Sequence, residues 1–349
     1  MWKAPLSANS KEPSMLIRSI TAVSLALSLA TAWAQTEVPT AVAPEAQVEP
    51  EKILVVGQRP GPGLWKVSKG DHVLWVFGTH WPLPKKMEWR SQQVETIIGQ
   101  SQELLKEPGA NLDFGIVRSV LLMPFMIGID KNPDGAVLRD KVPADVHERW
   151  LALRKKYLKD DEDYERLRPV FAAGELFDEA MKQNGMTNGG EVRKRIVKLA
   201  EQNKLKITST AIDLAVDSPV KGIREFKKAP MDDVPCFTAT IARLETDLDG
   251  IRARANAWAK GDLDVIRKLD YREHENACTA AFVSNAVLNE KAGLGTMPQR
   301  LRAGWMAAAE KALANNQSTF ALLPLHNLLG QKSYLADLQA KGYTVEQPE

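Results

Sequence analysis

The sequence predicts an α/β fold: a small mixed β-sheet core built from the N- and C-terminal ends of one domain and surrounded by many helices. Three observations predict it. The domain opens on two strand-like runs joined by a turn, it closes on a strand–helix–strand pattern, and helical periodicity dominates between them. The chain has 349 residues, 44% hydrophobic and 26% charged, with 22 Gly and 20 Pro. That composition excludes collagen-like, coiled-coil and wholly disordered chains.

The first element is a targeting signal. From Met15 the chain reads MLIRSITAVSLALSLATAWAQ, with Arg18 as a positive n-region, an apolar run from Ile20 to Thr31, and Ala32-Trp33-Ala34 as an A-x-A cleavage site. The run is too short for a membrane span of roughly 20 residues. Residues 1–34 are therefore expected to be a signal peptide starting at Met15, and the mature protein to be periplasmic or secreted. Residues 35–59 read as a flexible linker rich in Pro, Ala and Glu. The formal charge of the chain is +2, and Lys3, Lys11 and Arg18 against Glu12 account for all of it. A neutral mature chain has no bulk electrostatic reason to bind nucleic acid or anionic lipid. No later stretch reaches spanning length, so no stable membrane span is expected after signal cleavage.

Residues 60–349 read as a single domain, long enough to bury a sizeable core. Leu64–Val67 and Val73–Phe77 form the opening hairpin around Lys69-Gly70-Asp71. The second run is apolar on both faces, as a central covered strand requires. It ends at Gly78-Thr79-His80, before the Pro-broken Trp81-Pro82-Leu83-Pro84. Helices are expected over 90–101, 113–126, 143–157, 166–184 and 191–203, a short strand over Lys206–Ser209, and helical patterns from about 233 to 288. Thr296-Met297-Pro298-Gln299 has the form of a capping box, before a helix lined by Leu301, Trp305, Ala308 and Ala312. A strand over Thr319–Leu323, a helix over Ser333–Lys341 and a strand over Tyr343–Glu346 complete the domain.

Only two cysteines occur, Cys236 and Cys278, 42 positions apart. An oxidising compartment favours a disulfide between them, against the alternative of two separate buried thiols. Closing that loop stabilises by roughly 3–4 kcal/mol in the chain-entropy model. Neither cysteine has a second Cys or His arranged as a metal site requires.

Two segments carry a family resemblance. LWKVSKGDHVLWVFGTHWPLPKKMEWRSQQVETIIGQSQELLKE, residues 64–107, and TFALLPLHNLLGQKSYLADLQAKGYTVE, residues 319–346, resemble the opening and close of TraB/GumN-family proteins, relatives of the Tiki metalloproteases. Ala257-Trp258-Ala259-Lys260-Gly261-Asp262-Leu263 is similar to the family's A-W-x-x-G-D-L stretch. The resemblance implies a metal-dependent hydrolytic site at strand ends, built from two histidines and acidic groups. There a bound cation would lower the pKa of water and a carboxylate would accept its proton.

The resemblance marks Glu107, Arg302 and His326 as catalytic candidates and His80 with His326 as candidate metal ligands. It also exposes departures. The family's metal-site His falls on Trp81, with His80 one position early, and one position on an extended segment reverses the side chain. The Gly three before His326 is Leu323, the late Arg-Asn pair falls on Arg302-Ala303, and Thr208-Ser209-Thr210 stands where relatives tend to carry Gly-Leu-Glu. Each candidate also has a plain structural reading. His326 and His80 would be loop histidines, Glu107 a strand-end carboxylate, and Arg302 a surface residue or a partner for Glu107. His72, His147 and His274 read as incidental positions on hairpin or helix surfaces.

No phosphate loop, G-x-S-x-G elbow, H-E-x-x-H or C-x-x-C occurs. Two expectations follow. The preferred one is an exported envelope protein with a degenerate metal-hydrolase site, no cofactor, and a binding or scaffold role toward an envelope protein or peptide. The alternative is a divergent, peptidase-like hydrolase that uses a divalent metal held by His80 and His326.

Overall fold

Residues 61–111, 115–214, 218–268, 272–291 and 293–348 are described by a computed structural model; the expected signal peptide and the expected linker lie outside them. The chain runs β1 (Leu64–Lys69), β2 (His72–Thr79), β3 (Leu83–Pro84), α1 (Gln92–Gln100), β4 (Glu103–Leu105), β5 (Ala110–Asn111) and α2 (Gly115–Met126). It continues through α3 (Ala144–Tyr157), α4 (Pro169–Gln183), β6 (Met186–Thr187), α5 (Gly190–Gln202), β7 (Lys206–Thr208), β8 (Ile212–Asp213) and α6 (Pro219–Lys228). Then follow α7 (Val234–Thr246), α8 (Leu248–Ala259), α9 (Leu263–Lys268), α10 (Arg272–Ser284), α11 (Met297–Asn315), β9 (Ser318–Pro324), α12 (Tyr334–Ala340) and β10 (Thr344–Glu346).

Six strands form a mixed sheet in the order β10-β1-β2-β9-β4-β7. The β10, β1 and β2 strands pair antiparallel, whereas β2, β9, β4 and β7 are successive parallel neighbours. The two ends of the domain thus meet inside one sheet. The central strands have the composition this position demands. Leu74, Val76 and Phe77 on β2 and Phe320, Ala321 and Leu323 on β9 are fully buried, apolar on both faces as covered parallel strands are.

Tryptophans pin the helices to the sheet. Trp305 on α11 donates Nε1–H to the Leu322 carbonyl at 3.3 Å, and Trp258 on α8 donates to the Gly78 carbonyl at 2.7 Å. Each buries a large ring and still satisfies its one donor. At Gly78 a Cβ would stand 2.9 Å from both Leu325 Cδ1 and Trp65 Cζ3, so this strand end has room for glycine alone.

Most expected elements form within two or three residues of their anticipated ends. The capping box does not. Thr296 precedes α11 but makes no side-chain cap; its hydroxyl donates to the Gly293 carbonyl at 3.3 Å, and its backbone (φ −100°, ψ −2°) continues the preceding helical turn instead of taking the extended form of an N-cap. Ser333 does cap α12, accepting from the Ala336 amide at 3.1 Å.

The reading of His274 as a surface residue is also corrected. It is buried between α7 and α10, stacked on Phe177 with ring centroids 5.6 Å apart. Arg243 Nη1 lies 3.0 Å from His274 Nδ1, and Thr240 Oγ1 lies 2.8 Å from Nε2. A guanidinium can only donate, so Nδ1 accepts and Nε2 carries the proton. That proton goes to Thr240, whose hydroxyl donates to the Cys236 carbonyl at 2.8 Å. Beside this corner Cys236 and Cys278 are paired, with their sulfurs 2.02 Å apart. Among the described residues no helix is long and apolar enough to cross a membrane.

Candidate functional site

The parallel half of the sheet positions the site. Thr79 at the end of β2 is level with Pro324 at the end of β9, so His80 and His326 follow adjacent strand ends. Leu105 of β4 is level with Ala321 of β9 and with Thr208 of β7. Glu107 and the Thr208-Ser209-Thr210 segment therefore emerge on the same rim, where open α/β sheets bind their ligands.

Glu107 is occupied there. Thr79 Oγ1 donates to Glu107 Oε1, and Arg193 Nε stands 3.0 and 2.9 Å from Oε1 and Oε2. Arg193 Nη1 also donates to the Asn188 carbonyl at 2.9 Å. Local backbone delivers this guanidinium. Gly189 caps the start of α5 at φ +68°, and a Cβ there would stand 2.7 Å from the His80 carbonyl oxygen. Glycine thus lets α5 begin against the end of β2, with Arg193 on its first turn. A cavity of about 150 Å³, lined in part by Leu83, Trp89, Gly189 and Arg195, adjoins the same glycine.

The two histidines differ in environment. His80 is only 6% exposed, whereas His326, in a single helical turn Leu325–Asn327, is exposed. Of the two residues after Thr79, His80 is buried and Trp81 half-buried against the core. Burial, then the charges of Arg254, Arg243 and His326, lower the pKa of His80 from 6.5 to about 4. The ring is neutral at pH 7. Arg254 is itself 2% exposed and paired with Asp247, its Nη1 3.3 Å from Oδ1. Arg243 Nε lies 3.7 Å from the same carboxylate. On α10, burial raises the pKa of Glu275 against the opposing pull of both guanidiniums.

Arg302 has other partners. Its Nε is 2.6 Å from Asp337 Oδ2, Nη1 and Nη2 donate to the Lys332 and Ser333 carbonyls at 2.8 and 2.9 Å, and the guanidinium lies over the Tyr334 ring at 4.7 Å. It fastens α11 to the start of α12. Of the two plain readings of Arg302, the pairing with Glu107 does not form: Arg193 at the start of α5 holds Glu107, and Asp337 holds Arg302. The Thr208-Ser209-Thr210 segment is also spent on structure. Thr210 Oγ1 donates to the Lys106 carbonyl at 3.0 Å, and Thr208 Oγ1 donates to Glu103.

These residues do not fit the divalent ion that the resemblance implies. Both Glu107 oxygens face a guanidinium, and two further guanidiniums border His80. Among the described residues, no three His, Cys, Asp or Glu side chains are grouped to hold a metal ion. Structural metal sites use about four donors and catalytic ones about three.

Sequence reasoning missed Arg193, Arg243 and Arg254. The one available signal was Gly189-Gly190, a break that starts α5 directly after the loop leaving the sheet.

Comparison with curated proteins and with solved structures finds no match. A family model does match: the TraB/PrgY/gumN family, over residues 63–347. That span takes in the opening hairpin, the strand-end rim and the closing strand, so this chain belongs to the TraB/PrgY/gumN family.

Proposed function

We infer that this chain is an exported envelope member of its family whose strand-end site has lost metal-hydrolase chemistry and serves a binding or scaffold role. The observation that carries the reading is the engagement of Glu107. A carboxylate held by Arg193 and Thr79 is unsuited both to ligate a cation and to take a proton from bound water. The paired cysteines support export, since disulfides persist in oxidising compartments. The partner would be an envelope protein or peptide, presenting hydrogen-bonding groups to the rim.

A second reading has one observation in its favour. His80 and His326 follow adjacent parallel strand ends, and a neutral imidazole is the ligating form. In a divergent hydrolase these two would hold the ion.

Elemental analysis of the purified protein after exposure to Mn, Co and Zn salts, beside His326→Ala, separates the two. The binding reading predicts no stoichiometric metal in either and no metal-dependent peptide hydrolysis. One ion per chain that disappears in His326→Ala would establish the hydrolase reading instead.

A further inference from the structure

The α2 region has a surface that the preceding reading leaves unused. From Val120 to Ile129 the chain carries no charged, hydroxyl or amide side chain. Among the described residues six large apolar side chains are exposed, and five of them are Val120, Leu121, Met123, Met126 and Ile127. Leu121 and Met123 are each 66% exposed and Ile127 is 76% exposed. Isolated exposed apolar residues are ordinary, but a contiguous ridge on a helix marks an interaction surface.

The neighbouring helix identifies the occupant. α2 packs on α6, whose sequence PVKGIREFKK has four cations, Lys221, Arg224, Lys227 and Lys228, against the single carboxylate of Glu225. Two contacts join the helices at the ridge. The Arg224 guanidinium lies over the Phe125 ring at 5.2 Å, and Lys227 Nζ donates to the Ile127 carbonyl. Lys221, Arg224 and Lys228 are exposed. The surface therefore joins a ridge without hydrogen-bonding side chains to a row of cations. Acyl chains match the ridge and phosphate headgroups match the cations, as in helices that lie in a membrane interface. A second copy related by a two-fold axis would bring the same cationic helices toward each other, which disfavours it.

We propose that α2 and α6 together dock this protein on the surface of an anionic lipid bilayer. The bulk neutrality of residues 35–349 does not oppose this, because the attraction acts within about 10 Å of the surface and depends on local charge.

Vesicle flotation of the purified full chain tests the proposal, with vesicles of phosphatidylcholine alone and of phosphatidylcholine mixed with phosphatidylglycerol. Two variants keep the same N-terminal residues, so any difference reads this surface alone. One is Leu121→Ser with Met123→Ser and Ile127→Ser; the other is Lys221→Gln with Lys228→Gln. All five positions are exposed, and an unchanged circular dichroism spectrum verifies folding. The wild type should float with phosphatidylglycerol vesicles, less so at high salt, and poorly with phosphatidylcholine. The apolar variant should bind at least about tenfold more weakly, and the cationic variant about tenfold more weakly with a reduced salt dependence. Equal flotation of the wild type and the apolar variant would overturn the proposal, as would indifference to phosphatidylglycerol. So would an absence of vesicle binding together with a dimer that the apolar variant dissolves, because a second copy would then cover the ridge.

Discussion

His80 and His274 occupy two regions with the same electrostatics and different architecture. Both are buried, both have a pKa near 4, and both feel the Arg243 charge. His274 lies in the helical corner of α7 and α10, where Arg243, Thr240 and the Cys236 carbonyl complete one hydrogen-bond chain beside a disulfide. Its ring is used up in joining two helices. His80 follows a parallel strand end, on the rim where Glu107, Arg193 and His326 also emerge. A depressed histidine pKa thus reports desolvation and nearby cations, and only convergence of strand ends separates a candidate site from a structural joint.

Four perturbations test whether the two regions differ as described. The largest effect is expected from Trp258→Ala, which removes a fully buried ring and the donor bonded to Gly78 beneath the strand-end region. It should lower stability by about 3–5 kcal/mol in denaturant titrations. A shift below about 1 kcal/mol would mean that the end of β2 is held by something else. In the helical corner, replacing both Cys236 and Cys278 by Ala should remove about 4 kcal/mol through loop entropy alone, read as a lower unfolding midpoint.

Acid titration should affect both regions together. Each histidine has a folded pKa near 4 against 6.5 when free, so the unfolded chain binds the extra proton between these values. Stability is full above pH 6.5 and falls as pH drops toward 4, by roughly 3 kcal/mol per site. His274→Gln should flatten that dependence, since glutamine does not titrate. An unchanged pH profile in this variant would show that His274 is not the neutral acceptor of the Arg243 hydrogen bond. The smallest effect belongs to Arg302→Ala. Its partly exposed pair with Asp337 should contribute about 1–2 kcal/mol, and its loss should leave the strand-end rim unaltered in histidine NMR spectra.

Much of the fold was legible because periodicity reports burial directly. The alternating and apolar runs of β1, β2 and β9, and the helices α1 to α5, follow from patterns within a dozen residues. The site was legible only in part. The rim positions of His80, Glu107 and His326 follow from strand ends, but their partners come from far along the chain. Arg193 stands 86 residues from Glu107, inside a charged helix whose Glu191, Lys194 and Arg195 look equally suited to solvent. His274 misled for the same reason, since Arg243, more than thirty residues earlier, turns a polar-looking helix face into an interior one. Thr296 shows the converse limit, a correct local motif overridden by the turn that precedes it. Arg302 was given its residue type by the resemblance and its true partner, Asp337, by the packing of α12.

The proposed binding role requires that the strand-end rim hold no divalent cation. Zinc titration of protein carrying ¹⁵N-labelled histidine reads this at the rings themselves, because the chain has only five histidines and single substitutions assign each one. Stoichiometric Zn²⁺ should leave the ring nitrogens of His80 and His326 unshifted at pH 7, with His80 in its neutral form. Saturable shifts of both rings at one equivalent of zinc, lost in either single substitution, would instead establish a metal site there.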